Sequence, residues 1–158
     1  MEQTERTKFI ETIRNTPKLL RDAVDGLSPD QLNTPYREGG WTPAQVVHHI
    51  ADSHIHAFIR TKFILTEDHP TLTPYDQAAW AKHPDATSSD LTSSLNIIDG
   101  LHHRWAETMS GLTDDQWKRA AFHPERGELS MDNILEMYSW HGPHHIEQIT
   151  NLRKSKNW

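Results

Sequence analysis

Along four long stretches of this sequence apolar residues recur every three or four positions, and no sustained alternation of two appears. That rhythm places one apolar stripe on each of four helices, so the fold class is all-α. The first helix runs from about Glu5 to Asp25, with Phe9, Ile13, Leu20 and Val24 on its stripe and Gly26 at its end. Pro17 lies inside that pattern and predicts a bend or a fresh turn, because proline removes one i→i−4 hydrogen bond. Ser28-Pro29 predicts one short helical turn, and Thr42-Pro43 opens a second long helix that continues to about Leu65, each with a capping hydroxyl followed by proline at the first helical position. A loop from Thr66 to about Thr87, carrying Pro70, Pro74 and Pro84, is long enough to be functional or to hold short structure of its own. A third helix, about Ser89 to Ser110, aligns Leu91, Leu95, Ile98, Trp105 and Met109. The last starts after Ser130 and reaches about Lys154. Between them the pattern is weak, with one turn of helix after Thr113 and a turn at His123 to Gly127. Four amphipathic helices bury their stripes most economically against one another, as a four-helix bundle forming a single domain over residues 1–158.

Composition narrows the partners. With 16 Lys+Arg against 22 Asp+Glu the net charge is −6, which gives no electrostatic reason to expect nucleic acid or an anionic membrane. The longest apolar run, Ala78 to Ala81, is far short of a membrane span, and the amino terminus lacks the features of a signal peptide, so a soluble cytoplasmic protein is expected. There is no cysteine, so any bound metal must use nitrogen or oxygen ligands. There are, however, 12 histidines spread along the chain, and their positions on the helices become the question.

On the wheel of the last helix His141 and His145 fall inside the buried stripe with Ile134, Tyr138, Ile149 and Leu152. An i, i+4 pair is how one helix offers two imidazole nitrogens to one metal ion. The glutamate of the H-E-x-x-H motif is absent, so its general base cannot be assumed. Two hydrogen-bonded core histidines are the competing explanation, and a third donor is needed to decide. On the second helix His48 lies opposite the core arc and is expected in solvent. His49 lies at the flank of the arc and His54 within it, so periodicity leaves both open as the third ligand. His102 falls in the third helix's stripe, and His144 at the edge of the last one.

The run from Gly39 through Trp41-Thr42-Pro43 and His48-His49-Ile50-Ala51-Asp52 to His54, with Leu65-Thr66-Glu67-Asp68, Pro74-Tyr75-Asp76 and Tyr138-Ser139-Trp140-His141-Gly142-Pro143-His144-His145-Ile146, resembles the YfiT-type members of the DinB-like superfamily, described as metal-dependent hydrolases. The likeness extends from about Leu27 to the end of the chain. It implies a four-helix bundle with one divalent ion per subunit held by three imidazoles, which carry over as His49, His141 and His145. It also implies a homodimer and, for several members, transfer reactions on low-molecular-weight thiols such as bacillithiol. Pro143, between the two ligands of the last helix, predicts a kink or local widening there.

Three neutral imidazoles would leave a metal ion its full charge and an open position, the pattern of a catalytic site. Water there becomes acidic, with a pKa of roughly 7 on zinc in such a site. Hydrolysis of a small-molecule substrate is therefore the leading expectation. A low-molecular-weight thiol would lose its proton at the same place, so thiol S-transfer is the alternative, and a non-enzymatic metal-binding helical dimer is the third. Zinc is the default ion and nickel is compatible. Asp52, His54, His102 and Glu136 are candidates to orient the ligating rings, and Arg60, Tyr75 and Trp140 to line a substrate pocket.

Overall fold

The computed structural model describes residues 1–158. Its helices are α1 (Gln3–Val24), α2 (Pro29–Leu32), α3 (Pro43–Thr66), α4 (Gln77–Trp80), α5 (Thr92–Ser110), α6 (Asp114–Trp117) and α7 (Met131–Lys156). Their starts are set by local chemistry. Ser28, Thr42, Thr113 and Ser130 each accept from the backbone N–H three residues on, and Gln31, Gln45, Gln116 or Asn133 at that position accepts in return from the cap's own N–H. These reciprocal bonds satisfy donors that a helix start otherwise leaves open. The third long helix begins at Thr92, three residues later than its pattern suggests, because Ser88 and Asp90 accept the N–H groups of Asp90 and Thr92 and hold the approach in turns.

Side-chain pairs give the helix directions. Arg6 bonds Asp132 at the start of both α1 and α7, and Arg153 donates to Ala23 and Asp25 at their ends, so these two helices run parallel. Arg14 meets Glu107 and Arg21 meets Asp99, so α1 and α5 are antiparallel. His48 bonds Ser94 while Lys62 bonds Thr108, so α3 and α5 are parallel, and α7 packs antiparallel to α3. Each of α1 and α3 packs against both α5 and α7, which leaves α1 and α3 diagonal to one another. Parallel neighbours need a connection that travels back the length of a helix, roughly 36 Å for a helix of this size. This explains the long stretch between α3 and α5. It carries α4 and a 3₁₀ turn at Asp85–Thr87 that packs on α3, and Gln45 Nε2 ties it down by donating to the Ala81 carbonyl.

The weakly patterned segment before α7 forms a hairpin of β1 (Ala120–His123) and β2 (Gly127–Ser130), turning at the expected His123 to Gly127. Four-residue strands offer too little alternation to be read as such, and this pair is the only sheet.

The bundle interior falls into two apolar clusters. One gathers Ile10, Ile13, Ala57, Trp105 and Tyr138, the other Leu20, Ile50, Ile98, Ile146 and Ile149. Between them lies a layer to which the four long helices contribute Thr16, His54, His102 and His141, the first three fully buried. Two prolines border this layer, and neither breaks its helix: α1 runs through Pro17 and α7 through Pro143. At Pro17 the carbonyl left without its i→i−4 donor belongs to Ile13, and His102 Nδ1 supplies the missing hydrogen bond at 2.7 Å. At Gly142 a side chain is disfavoured by geometry, since a Cβ there would lie 2.8 Å from Cγ2 and 3.2 Å from Oγ1 of the buried Thr16.

Candidate metal centre

Where α3 and α7 pack antiparallel, His49 on one faces His141 and His145 on the other. One nitrogen from each of these three rings lies within 4.8 Å of the other two. The Nε2 atoms of His49 and His141 are 3.3 Å apart. Two imidazole nitrogens on one tetrahedral zinc ion, each at 2.0–2.1 Å, are separated by roughly 3.3–3.4 Å, so this pair already has the spacing of co-ligands. Burial holds the His49 imidazole down at about 3, helped by the charge of His145, and holds His141 down at about 2, helped by His145 and His49. His145 is lowered by burial as well. Neutral rings with converging nitrogens are the donor set a divalent ion of zinc or nickel type takes.

The surroundings orient each ring. Gln148 Oε1 accepts from His145 Nδ1 at 2.9 Å, which leaves the Nε2 of His145 with its lone pair, and the Gln148 amide reaches His144 at 3.2 Å. Trp41 lies over His49 with ring centroids 4.6 Å apart and stacks on His145 at 6.2 Å. It is presented by a tight turn in which Gly39 takes a positive φ of 66° and Tyr36 N–H bonds the Trp41 carbonyl. His54 Nε2 lies 3.0 Å from His141 Nδ1, and His54 Nδ1 lies 2.7 Å from His102 Nε2. Burial lowers His54 far below its ordinary value and His102 to about 4, so both are neutral. Of the two candidates that periodicity left open on α3, His49 is thus in the cluster and His54 stands behind it.

The cluster opens on a cavity of about 1040 Å³. Arg60, Tyr75 and Trp140 line it, together with Trp41, His123 and Arg126. Tyr75 stacks on His56 with centroids 4.2 Å apart, and burial pushes its phenol up to about 12. Arg60 Nη2 donates to the Thr73 carbonyl, whereas Arg60 Nε and Tyr75 Oη are buried without a hydrogen-bond partner. His123 Nδ1 accepts from the Glu125 N–H. Trp140 is 60% exposed and stacks on His144 at the mouth.

Three expectations are corrected. His48 is buried rather than solvated, because the returning crossover covers that side of α3: its Nε2 donates to the Ser88 carbonyl at 2.9 Å and its Nδ1 accepts from Ser94 at 2.8 Å. Asp52 makes no hydrogen bond to an imidazole of the cluster; burial and the nearby Asp85 raise its pKa, on the side where the crossover packs. Glu136 lines a separate hollow with Lys8 and Thr12. Conversely the structure adds Trp41, His123 and Arg126 to the cavity and Gln148 behind His145, none of which helical periodicity singles out. Gln148 had a usable signal, its place three residues after His145 on one helix. The hairpin residues had none, since only the fold brings them to the cavity.

The sequence matches the DinB superfamily over residues 12–149. The chain belongs to the DinB superfamily. A Geobacillus kaustophilus protein named "Putative metal-dependent hydrolase" is 47% identical, with 99% of this chain and 89% of that protein covered. Bacillus subtilis YfiT, which carries the same printed description, is 43% identical over 98% of this chain and 87% of its own. The solved structure of YfiT superposes with a TM-score of 0.97, covering 100% of this chain and 91% of that one, and is described as having an unusual four-helix bundle topology. A second solved four-helix bundle, 18% identical with a TM-score of 0.64, shares the fold. Within this DinB-superfamily chain, no helix is long and apolar enough to cross a membrane.

Proposed function

We propose that this protein is a metal-dependent hydrolase acting on a small polar molecule, with one divalent ion held by His49, His141 and His145. The observation that carries this reading is the meeting of three neutral imidazoles, one nitrogen of each within 4.8 Å of the others, beside an open cavity. The names of its relatives support it. An ion held there by His49, His141 and His145 would supply Lewis acidity, and zinc in such a site would lower the pKa of a water to roughly 7.

The chain's own residues do the rest. Gln148 and His54 fix the rotation of His145 and His141 through their Nδ1 atoms. Trp41 covers one flank of the imidazoles and keeps bulk water from the rings it touches. Arg60 Nε and Tyr75 Oη present unmet donors in the wall, and Arg126 adds positive charge, which suits a substrate bearing acceptor oxygens. Zinc is the first ion to test and nickel the second. A homodimer, implied by the family resemblance, and a cytoplasmic location, expected from composition, belong to the same proposal.

Elemental analysis of the purified protein and of its His49→Ala variant tests the centre. One ion per chain in the former and none in a folded variant is the expected result; equal metal in both would refute the ligand set. Turnover of activated esters and amides by the metal-loaded protein, with and without a low-molecular-weight thiol, tests the reaction. Activity that appears only with thiol would replace hydrolysis by thiol transfer.

A further inference from the structure

The layer that separates the two apolar clusters contains a continuous line of hydrogen-bonding groups whose proton positions follow from chemistry alone. It starts at a backbone carbonyl, that of Ile13, which can only accept. His102 Nδ1, at 2.7 Å, must therefore carry the proton, and a neutral imidazole then has a bare lone pair on Nε2. That lone pair faces His54 Nδ1 at 2.7 Å, so His54 carries its proton on Nδ1 and is bare on Nε2. The bare Nε2 of His54 faces His141 Nδ1 at 3.0 Å, so His141 also carries its proton on Nδ1. What remains at the far end is the lone pair of His141 Nε2, the atom that lies 3.3 Å from His49 Nε2. No other assignment of protons to three neutral rings satisfies every contact.

The line begins where it does because of Pro17. In an ordinary helix the Ile13 carbonyl would take the N–H of residue 17; proline has none, and the carbonyl is left to accept from α5. The rings are packed into place: His54 and His102 lie edge to edge and nearly coplanar, their planes 15° apart and centroids 4.8 Å apart, as an in-plane hydrogen bond between ring nitrogens requires, and Tyr138 and Trp105 stand edge-on to His54.

We propose that His102 and His54 are positioning residues that transmit the acceptor demand of the Ile13 carbonyl through two rings and lock His141 with its Nε2 lone pair turned toward His49 and His145. The inference rests on the metal-site reading for its purpose and on the metal-free geometry for its existence, and the two can be tested apart. Long-range proton–nitrogen correlation spectra of the metal-free protein read the tautomers directly. His102, His54 and His141 should all carry their proton on Nδ1; a proton on Nε2 of any of the three overturns the line. Metal affinity, measured by competition with a chromogenic chelator, then tests its consequence. His102→Phe removes the acceptor for His54 and should weaken binding about 10- to 100-fold. His102→Gln, whose amide can donate to Ile13 and accept from His54, should retain most of the wild-type affinity. Equal affinity in wild type and a folded His102→Phe overturns the positioning role. If wild type itself binds no metal, the site reading fails and the spectra still decide the line. If His102→Phe does not fold, the wild-type tautomers and the His102→Gln affinity carry the decision.

Discussion

A methyl group at position 142 has nowhere to go. The backbone of α7 passes so close to Thr16 of α1 that a Cβ would sit 2.8 Å from a methyl carbon that is itself fully buried. Gly142→Ala should destabilise the protein by about 1–3 kcal/mol through overpacking against Thr16, whose Cγ2 and Oγ1 would lie 2.8 and 3.2 Å from the added carbon. Thermal or chemical denaturation checks this, and an unchanged midpoint would contradict it. The contrast with His145→Ala is instructive. That change removes a ring whose Nδ1 bonds only Gln148 on the same helix, so it should leave a folded chain with metal binding and turnover abolished. Melting of the fold instead would mark the histidines as structural. At this scale the nomination of His49, His141 and His145 was within reach of the sequence, because motif and spacing both bear on them. Gly142 as a contact, Trp41 as a cover and His123 in the wall were not, because each acquires its role only from a segment distant in the chain.

Between elements, the parallel register of α1 and α7 is set by a compact ionic cluster. Arg6 holds Asp132 with two hydrogen bonds of 2.8 and 2.9 Å, and the amino terminus adds a third at 3.1 Å. Asp132 is only 22% exposed, and the Arg6 guanidinium keeps its carboxyl below the usual range. Asp132→Ala should cost about 1.5–3 kcal/mol, the range for hydrogen bonds to charged partners, measurable as a lower denaturation midpoint. The long helices and their caps at Ser28, Thr42 and Ser130 were legible because capping chemistry is local. The uninterrupted passage of α1 through Pro17 was not, since the donor that satisfies Ile13 comes from α5. The same reason hid the burial of His48: a helix wheel knows the core arc but not which loop returns across the opposite face.

For the molecule as a whole, burying five imidazoles in and beside one layer makes stability sensitive to acid. His49, His54, His102, His141 and His145 all have folded values below that of a free imidazole, burial being the first cause in each. In the unfolded chain these rings take up protons near pH 6.5, while in the metal-free folded chain they stay neutral until pH approaches about 4, 3 or 2 for His102, His49 and His141. Stability is therefore unaffected by these groups above pH 6.5 and is lost as pH falls below it. At pH 5 unfolding should take up about three protons or more, a slope of ~4 kcal/mol per pH unit. Urea denaturation of the metal-free protein at pH 7 and pH 5 measures this, and equal stabilities would contradict it.

The crossover between parallel α3 and α5 also dictates how the chain must find its native state. Successive helices cannot simply zip up as hairpins with their sequence neighbours, because α1 and α3 end up diagonal and α3 meets α5 only after a full return journey. The contacts that join the central layer link residues 89 and 87 positions apart. Such distant closures slow the search, so this bundle should refold in milliseconds or longer, against the microseconds open to helical proteins built from local contacts.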